Sequence, residues 1–197
     1  MKNIILASSS PRRMDIMNEL KIPFKVRISD VNESEYTNYN PVELVKILAE
    51  KKAQNVIKPQ DKNAIVIGAD TVVSYNSSII GKPANYDLAF EYLKLLSGKT
   101  HSVYTGIAII DTKTNISYID YCETKVTMRE YSDAEIISYI NTKEPFGKAG
   151  AYAIQGIGAV FVKQIHGDYS NVVGLPISKL IEGFKVLNID YFNSFHN

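Results

Sequence analysis

The chain has 197 residues, 45% hydrophobic and 22% charged, with a formal net charge of +1. That length suits one domain over residues 1–197, or two lobes sharing a core. The near-zero charge gives no broad electrostatic basis for binding duplex nucleic acid or an anionic membrane. A single cysteine, Cys122, excludes an intramolecular disulfide and a cysteine-built zinc site. Three histidines argue against a histidine cluster, so a bound metal would be a hard ion held by oxygens, such as Mg²⁺ or Mn²⁺.

In chain order, Ile4–Ala7 reads as a short apolar strand. This run is too short for a secretory signal, and no run reaches membrane-spanning length, so the expected location is the cytoplasm. The strand breaks at Ser8-Ser9-Ser10, and Pro11-Arg12-Arg13 follows. Ser10 as N-cap and Pro11 as first helical residue predict a helix carrying Met14, Met17 and Leu20. Free N–H groups, serine hydroxyls and two guanidiniums converge there, which suits phosphate; the other reading is a surface helix start with two solvated arginines. Phe24–Ile28 reads as a second strand, followed by an acidic loop with Asp30, Glu33 and Glu35. Asn40-Pro41-Val42-Glu43 starts a helix, with Asn as N-cap and Glu at the third position. Val45, Leu48, Ala49 and Val56 form its apolar face, and Lys52 shares that face. Its ammonium either snorkels to solvent or points into a cleft.

Ala64–Ile67 reads as a buried strand running into Gly68-Ala69-Asp70-Thr71. Asp70 is expected where a strand end meets a loop, inside or just beside a sheet, with a cation, a metal or hydrogen-bond donors against its carboxylate. Taken alone, this octapeptide also fits an ordinary turn aspartate. Asn76-Ser77-Ser78 reads as a hairpin turn before Ile79-Ile80, and Gly81-Lys82-Pro83 closes that segment. Asn85 caps a helix that Ser97-Gly98 stops. Ser97-Gly98-Lys99-Thr100 resembles the tail of a P-loop, but Leu93 stands where the first glycine is required, so a Walker A site is rejected.

His101–Ile110 and Ile116–Met128 read as long paired strands joined by a turn at Asp111–Asn115. Ser132-Asp133-Ala134-Glu135 is a capping box opening a helix to about Thr142. A glycine-rich stretch from Gly147 to Gly158 precedes a predicted strand, Ala159–Ile165. Gly167–Asn171 reads as a polar loop and Ile177–Leu187 as the last helix, with a peripheral tail beyond Asn188. The elements alternate near the ends, while antiparallel pairs sit in the middle. The predicted class is therefore α/β, with a mixed sheet flanked by helices.

Seven ordered blocks identify a family resemblance. They are Ala7-Ser8-Ser9-Ser10-Pro11-Arg12-Arg13; Lys52-Ala53; Gly68-Ala69-Asp70-Thr71-Val72-Val73; Gly81-Lys82-Pro83; residues 96–106 from Leu96 to Gly106; and the pair Lys148–Gly156 and Gly167–Pro176. Together they resemble the Maf family, also called septum formation inhibitor proteins, which are nucleoside triphosphate pyrophosphatases. The likeness covers nearly the whole chain. Gly147 departs from it, since the family more often has Asp before Lys-Ala-Gly.

The resemblance implies a fold like that of the inosine triphosphate pyrophosphatases: two lobes around an elongated mixed sheet, with a nucleotide cleft between them. It also implies hydrolysis of a nucleoside triphosphate to the monophosphate and pyrophosphate, aided by a divalent metal, in a cytoplasmic and often dimeric protein. Asp70 falls on the family's catalytic aspartate, and Glu33 lies near its acidic metal-side position, so Glu33 and Asp70 are the expected metal residues. Ser8, Ser10, Arg13, Lys52 and Lys82 fall on its phosphate-binding positions. The block Ala151-Tyr152-Ala153-Ile154-Gln155-Gly156 resembles the dTTP and UTP subgroup, whose specificity positions match Arg12, Thr71 and Gln155. A glutamine amide carries a donor and an acceptor that suit the imide edge of uracil or thymine; Gln155 could equally fix the glycine-rich loop. Arg12 could meet a base carbonyl or a phosphate. A nucleotide-binding regulator of septum formation, and more distantly a nucleotidyltransferase, are the competing functions.

Overall fold

The computed structural model describes residues 2–36 and 39–195. Seven strands form one mixed sheet: β1 (Asn3–Ala7), β2 (Phe24–Val26), β3 (Ala64–Tyr75), β4 (Ser78–Ile80), β5 (Thr100–Asp111), β6 (Ile116–Met128) and β7 (Val162–His166). The strand order is β2-β1-β3-β5-β6-β7, with β4 on the far half of β3. The β2-β1-β3 part is parallel, and every other pairing is antiparallel. The helices are α1 (Pro11–Glu19), α2 (Pro41–Asn55), α3 (Tyr86–Leu96), α4 (Asp133–Asn141), α5 (Tyr169–Val173), α6 (Ile177–Val186) and α7 (Tyr191–Phe195). The expected α/β class with a mixed sheet flanked by helices is what the chain adopts.

Alternation along β3 divides the core between the two faces of the sheet. Ile65, Ile67, Ala69 and Val73 turn to one face and pack with Met17 of α1, Leu93 of α3, Ile136 of α4 and Phe184 of α6. Val66 and Val72 turn to the other, under Val45, Leu48, Ala49 and Ala53 of α2. Two glycines let α2 lie directly on the sheet. A Cβ at Gly68 would stand 2.2 Å from the Ala49 carbonyl oxygen, and one at Gly106 would stand 2.1 Å from that of Val45. No side chain fits in either space. The capping signals form as expected: Asn40 accepts from the Glu43 N–H, Asn85 from that of Leu88, and Ser132 and Glu135 cap reciprocally.

Four local expectations differ. β3 does not end at Gly68; it continues through Asp70 to Tyr75, because β5 pairs with it from Ile65 to Ser74. Residues 159–161 belong to a 3₁₀ segment, Gly156–Phe161, and β7 starts only at Val162. That segment wraps the Glu144 carboxylate, which accepts from the N–H groups of Ile157 and Gly158 and from the Tyr139 hydroxyl, so these donors never join a ladder. The polar loop at 167–171 is half helical, because Asp168 caps α5 by accepting from the Ser170 and Asn171 N–H groups. The tail beyond Asn188 is peripheral, as expected, with no buried residue in α7, and it is tied to the body. Tyr191 donates to the Leu20 carbonyl at 2.8 Å, and the Phe195 ring lies 5.8 Å from that of Phe184. The second strand also stops at Val26, short of Ile28. No helix among the described residues is long and apolar enough to cross a membrane.

Candidate active site

The site arises where neighbours of β3 stop short. β1 ends at Ala7, opposite Gly68, and β4 begins to pair only at Val73. Between them Ala69–Val72 have no strand on that side among the described residues. A cleft of about 530 Å³ opens there, within the size range of small-molecule sites. Its lining includes the Ser8–Arg13 segment, Glu33, Lys52, Asp70, Thr71 and Lys82, together with Phe146, Lys148, Tyr152 and Ile154.

Asp70 faces α2. Because Gly68 and Gly106 seat that helix on the sheet, Lys52 Nζ reaches Asp70 Oδ1 at 2.6 Å and Glu33 Oε1 at 2.7 Å. Lys52 thus points into the cleft, and both it and Asp70 are buried. Glu33 stands on a single 3₁₀ turn, Glu33–Tyr36, and Lys82 Nζ reaches its second oxygen at 3.2 Å. Partial burial pushes the Glu33 carboxyl up, but the hydrogen bonds and charges of Lys52 and Lys82 outweigh it and leave it below its ordinary value. Two carboxylates therefore converge on one cation, with a second cation at the rim. This donor set fits a hard divalent ion. Among the described residues no group of three or more acidic, His or Cys side chains is placed to hold a metal. An ion at Glu33 and Asp70 would thus complete its shell with substrate oxygens and water.

Thr71 faces the opposite layer and meets Arg13. The Arg13 guanidinium donates to Thr71 Oγ1 at 3.1 Å, to Ser8 Oγ at 3.2 Å and to the Gly174 carbonyl at 2.7 Å. Burial lowers its pKa, and the nearby Asp70 charge opposes that shift. Arg13 is therefore tied into the wall on three sides. Arg12 differs: among the described residues no hydrogen bond or ion pair engages it, and burial lowers its pKa as well. Ser10 occupies the N-cap of α1 but makes no side-chain cap bond; its N–H donates to Ser8 Oγ at 3.1 Å. Its hydroxyl and the first turn of α1 stay open to an anion.

The chain matches the Maf-like protein family over residues 3–187. It belongs to that family. It is 48% identical over 190 residues to a dTTP/UTP pyrophosphatase of Bacillus cereus strain G9842, covering 96% of this chain and 98% of that one. It is 52% identical over 180 residues to a dTTP/UTP pyrophosphatase of Alkaliphilus oremlandii strain OhILAs, covering 91% and 93%. A HAM1 protein from Coxiella burnetii aligns with 65% of this chain and 73% of its own at 20% identity and a TM-score of 0.41.

Of the residues that the Maf resemblance singles out, Ser8, Ser10, Arg12, Arg13, Glu33, Lys52, Asp70, Thr71 and Lys82 all line this one cleft. Gln155 does not. It is exposed, one residue beyond Ile154, where Gly156 turns the chain with φ +74°. Gly147 stands at φ +76°, a backbone that glycine adopts without strain, and a Cβ added there would meet nothing within 4 Å. Lys148, Tyr152 and Ile154 also line the cleft, and the sequence reading assigned them no role. The signal was their place in the Lys148–Gly156 block. Tyr152 is anchored from behind by His101, whose Nε2 lies 2.8 Å from the hydroxyl. Burial lowers the His101 pKa to about 4, so the imidazole is neutral near pH 7.

Proposed function

We propose that this chain hydrolyses dTTP and UTP to the monophosphate and pyrophosphate, with Mg²⁺ or Mn²⁺ as cofactor. The observation that carries the reading is the buried Asp70 carboxylate, 2.6 Å from Lys52, in a cleft otherwise rich in cations and N–H donors. Relatives at about half identity, named for this activity, support the choice of bond and base. A cleft made only to hold a triphosphate gains nothing from a carboxylate that repels it; a cleft that activates water needs one.

The α–β anhydride bond breaks as water attacks phosphorus and pyrophosphate departs. Asp70 Oδ2, the oxygen not engaged by Lys52, serves either as the base that takes the water's proton or as a ligand of the ion that activates the water. Lys52, Lys82, Ser8, Ser10 and the open first turn of α1 hold the phosphate oxygens and meet the charge that develops on the leaving group. Arg13 keeps Ser8 and Thr71 in place while adding its charge to the wall. Glu33 and Asp70 would hold the divalent ion, which supplies Lewis-acid polarisation of phosphate oxygens when bound. Arg12 and Thr71, which line the cleft, and Gln155, one residue beyond the lining residue Ile154, are assigned to base selection.

Product analysis tests this directly. UTP incubated with the protein and Mn²⁺ should yield UMP and pyrophosphate, and EDTA should abolish the reaction. Release of UDP and orthophosphate would overturn the reading. Tight UTP binding without turnover would favour the regulatory alternative.

A further inference from the structure

Thr71 carries a constraint that follows from counting protons. Thr105, its partner on β5, is completely buried, and its hydroxyl donates to the Asn171 backbone carbonyl at 2.8 Å. A carbonyl can only accept, so the single Thr105 proton is spent there. The two threonine hydroxyls lie 2.9 Å apart. Thr105 must therefore accept in that contact, and Thr71 must donate. The Arg13 guanidinium in turn donates to Thr71 at 3.1 Å. The direction of the whole chain is fixed: Arg13 to Thr71, Thr71 to Thr105, Thr105 to Asn171. Its far end is rigid, because the Asn171 side chain is fully buried and donates to the Val103 carbonyl and to Thr124 Oγ1, each at 3.0 Å.

A hydroxyl has one proton and two lone pairs. In Thr71 the proton and one lone pair are used inside the wall. What it has left for the cleft, which it lines half-exposed, is one lone pair. We infer that Thr105 is a specificity-determining positioning residue, which makes Thr71 a pure acceptor toward the ligand. Such an acceptor suits the imide N3–H of uracil and thymine. It opposes cytosine, whose N3 also presents a lone pair. A rotatable hydroxyl would serve both, so the discrimination lies in the direction that Thr105 imposes. This rests on the dTTP/UTP reading and gives it an atomic basis independent of Gln155.

The test is the ratio of kcat/KM for UTP to that for CTP. Thr105→Val removes the acceptor for the Thr71 proton and frees that hydroxyl to turn toward the cleft. The ratio should fall about tenfold, the worth of one matched against one mismatched hydrogen bond. Thr105→Ser keeps the relay and should keep the parental ratio, whatever either change does to melting temperature. An unchanged ratio in a folded Thr105→Val would overturn the inference. If Thr105→Val does not fold, Thr71→Val against Thr71→Ser decides. The former must lose the preference and the latter keep it, and equal ratios in both overturn the inference. A parent without preference for UTP over CTP would instead sink the underlying substrate reading.

Discussion

Gly68→Ala tests whether the seating of α2 on the sheet sets the chemistry. The new Cβ would stand 2.2 Å from the Ala49 carbonyl oxygen and 2.8 Å from the Ala53 nitrogen. Both are helix backbone atoms, so no side-chain rotation relieves the clash. Restoring ordinary van der Waals separation requires α2 to lift by about 1 Å at this point. Lys52 lies between the two contacts and must follow. Its 2.6 Å bond to Asp70 then stretches beyond good hydrogen-bond length. Overpacking of this kind costs about 1–3 kcal/mol, and in a chain of this size each kcal/mol lowers Tm by about 2–4 °C. A misplacement near 1 Å costs about 100-fold in turnover. Thermal melts and kcat for UTP should therefore fall together. Gly81→Ala, where a Cβ meets nothing within 4 Å, serves as the control for Tm. A Gly68→Ala protein with a lowered Tm but parental kcat would refute the link between helix seating and the Lys52–Asp70 geometry.

Asp70→Asn should keep its fold and bind nucleotide, because Lys52 retains Glu33, yet lose turnover by about a hundredfold or more. Parental turnover would make Asp70 structural. Lys52→Met, by contrast, leaves the buried Asp70 carboxylate without its cation and should lower stability by about 3 kcal/mol or more in chemical denaturation; a parental midpoint would contradict this. His101 sets an acid limit. Its folded pKa of about 4 lies below its ordinary 6.5, so the unfolded chain takes up the proton first. Its share of stability is complete above about 6.5 and is lost as pH falls toward about 4. His101→Gln should flatten the stability profile across that window, and an unchanged slope would show that another group controls it.

Local chemistry made much of this molecule readable. Asn40, Asn85 and Ser132 announce helix starts through short side chains that satisfy first-turn N–H groups, and each does so in the structure. The long β5–β6 pair was equally plain from its alternation. What failed depends on partners distant in sequence. Near Asp70 the extended run Val72-Val73 puts the carboxylate inside or beside a sheet, but the β5 pairing that carries the strand unbroken through Gly68 comes from far along the chain, and nothing in Gly156–Phe161 says that Glu144 will claim its N–H groups. At the site, residue types near a helix start suggested two equivalent arginines. The fold separates them: Arg13 is consumed by Ser8, Thr71 and Gly174, while no hydrogen bond or ion pair engages Arg12 among the described residues. Lys52 was ambiguous on its apolar stripe until two glycines from other elements fixed how deeply α2 sits.

Among the described residues no strand pairs with Ala69–Val72 on the cleft side, and this gap bears on association as well as on the proposed chemistry. An unpaired stretch in the middle of a sheet is a template on which another chain can add a strand. Here Lys52, Lys82, Glu33 and Asp70 crowd that gap with charge, which a docking strand would have to desolvate. The ionic cluster therefore opposes strand addition at this edge, apart from the chemistry proposed for it. Variants in which several of these charges are neutralised together should gain a tendency to oligomerise through this opening, so loss of activity in them can reflect a plugged cleft rather than absent chemistry.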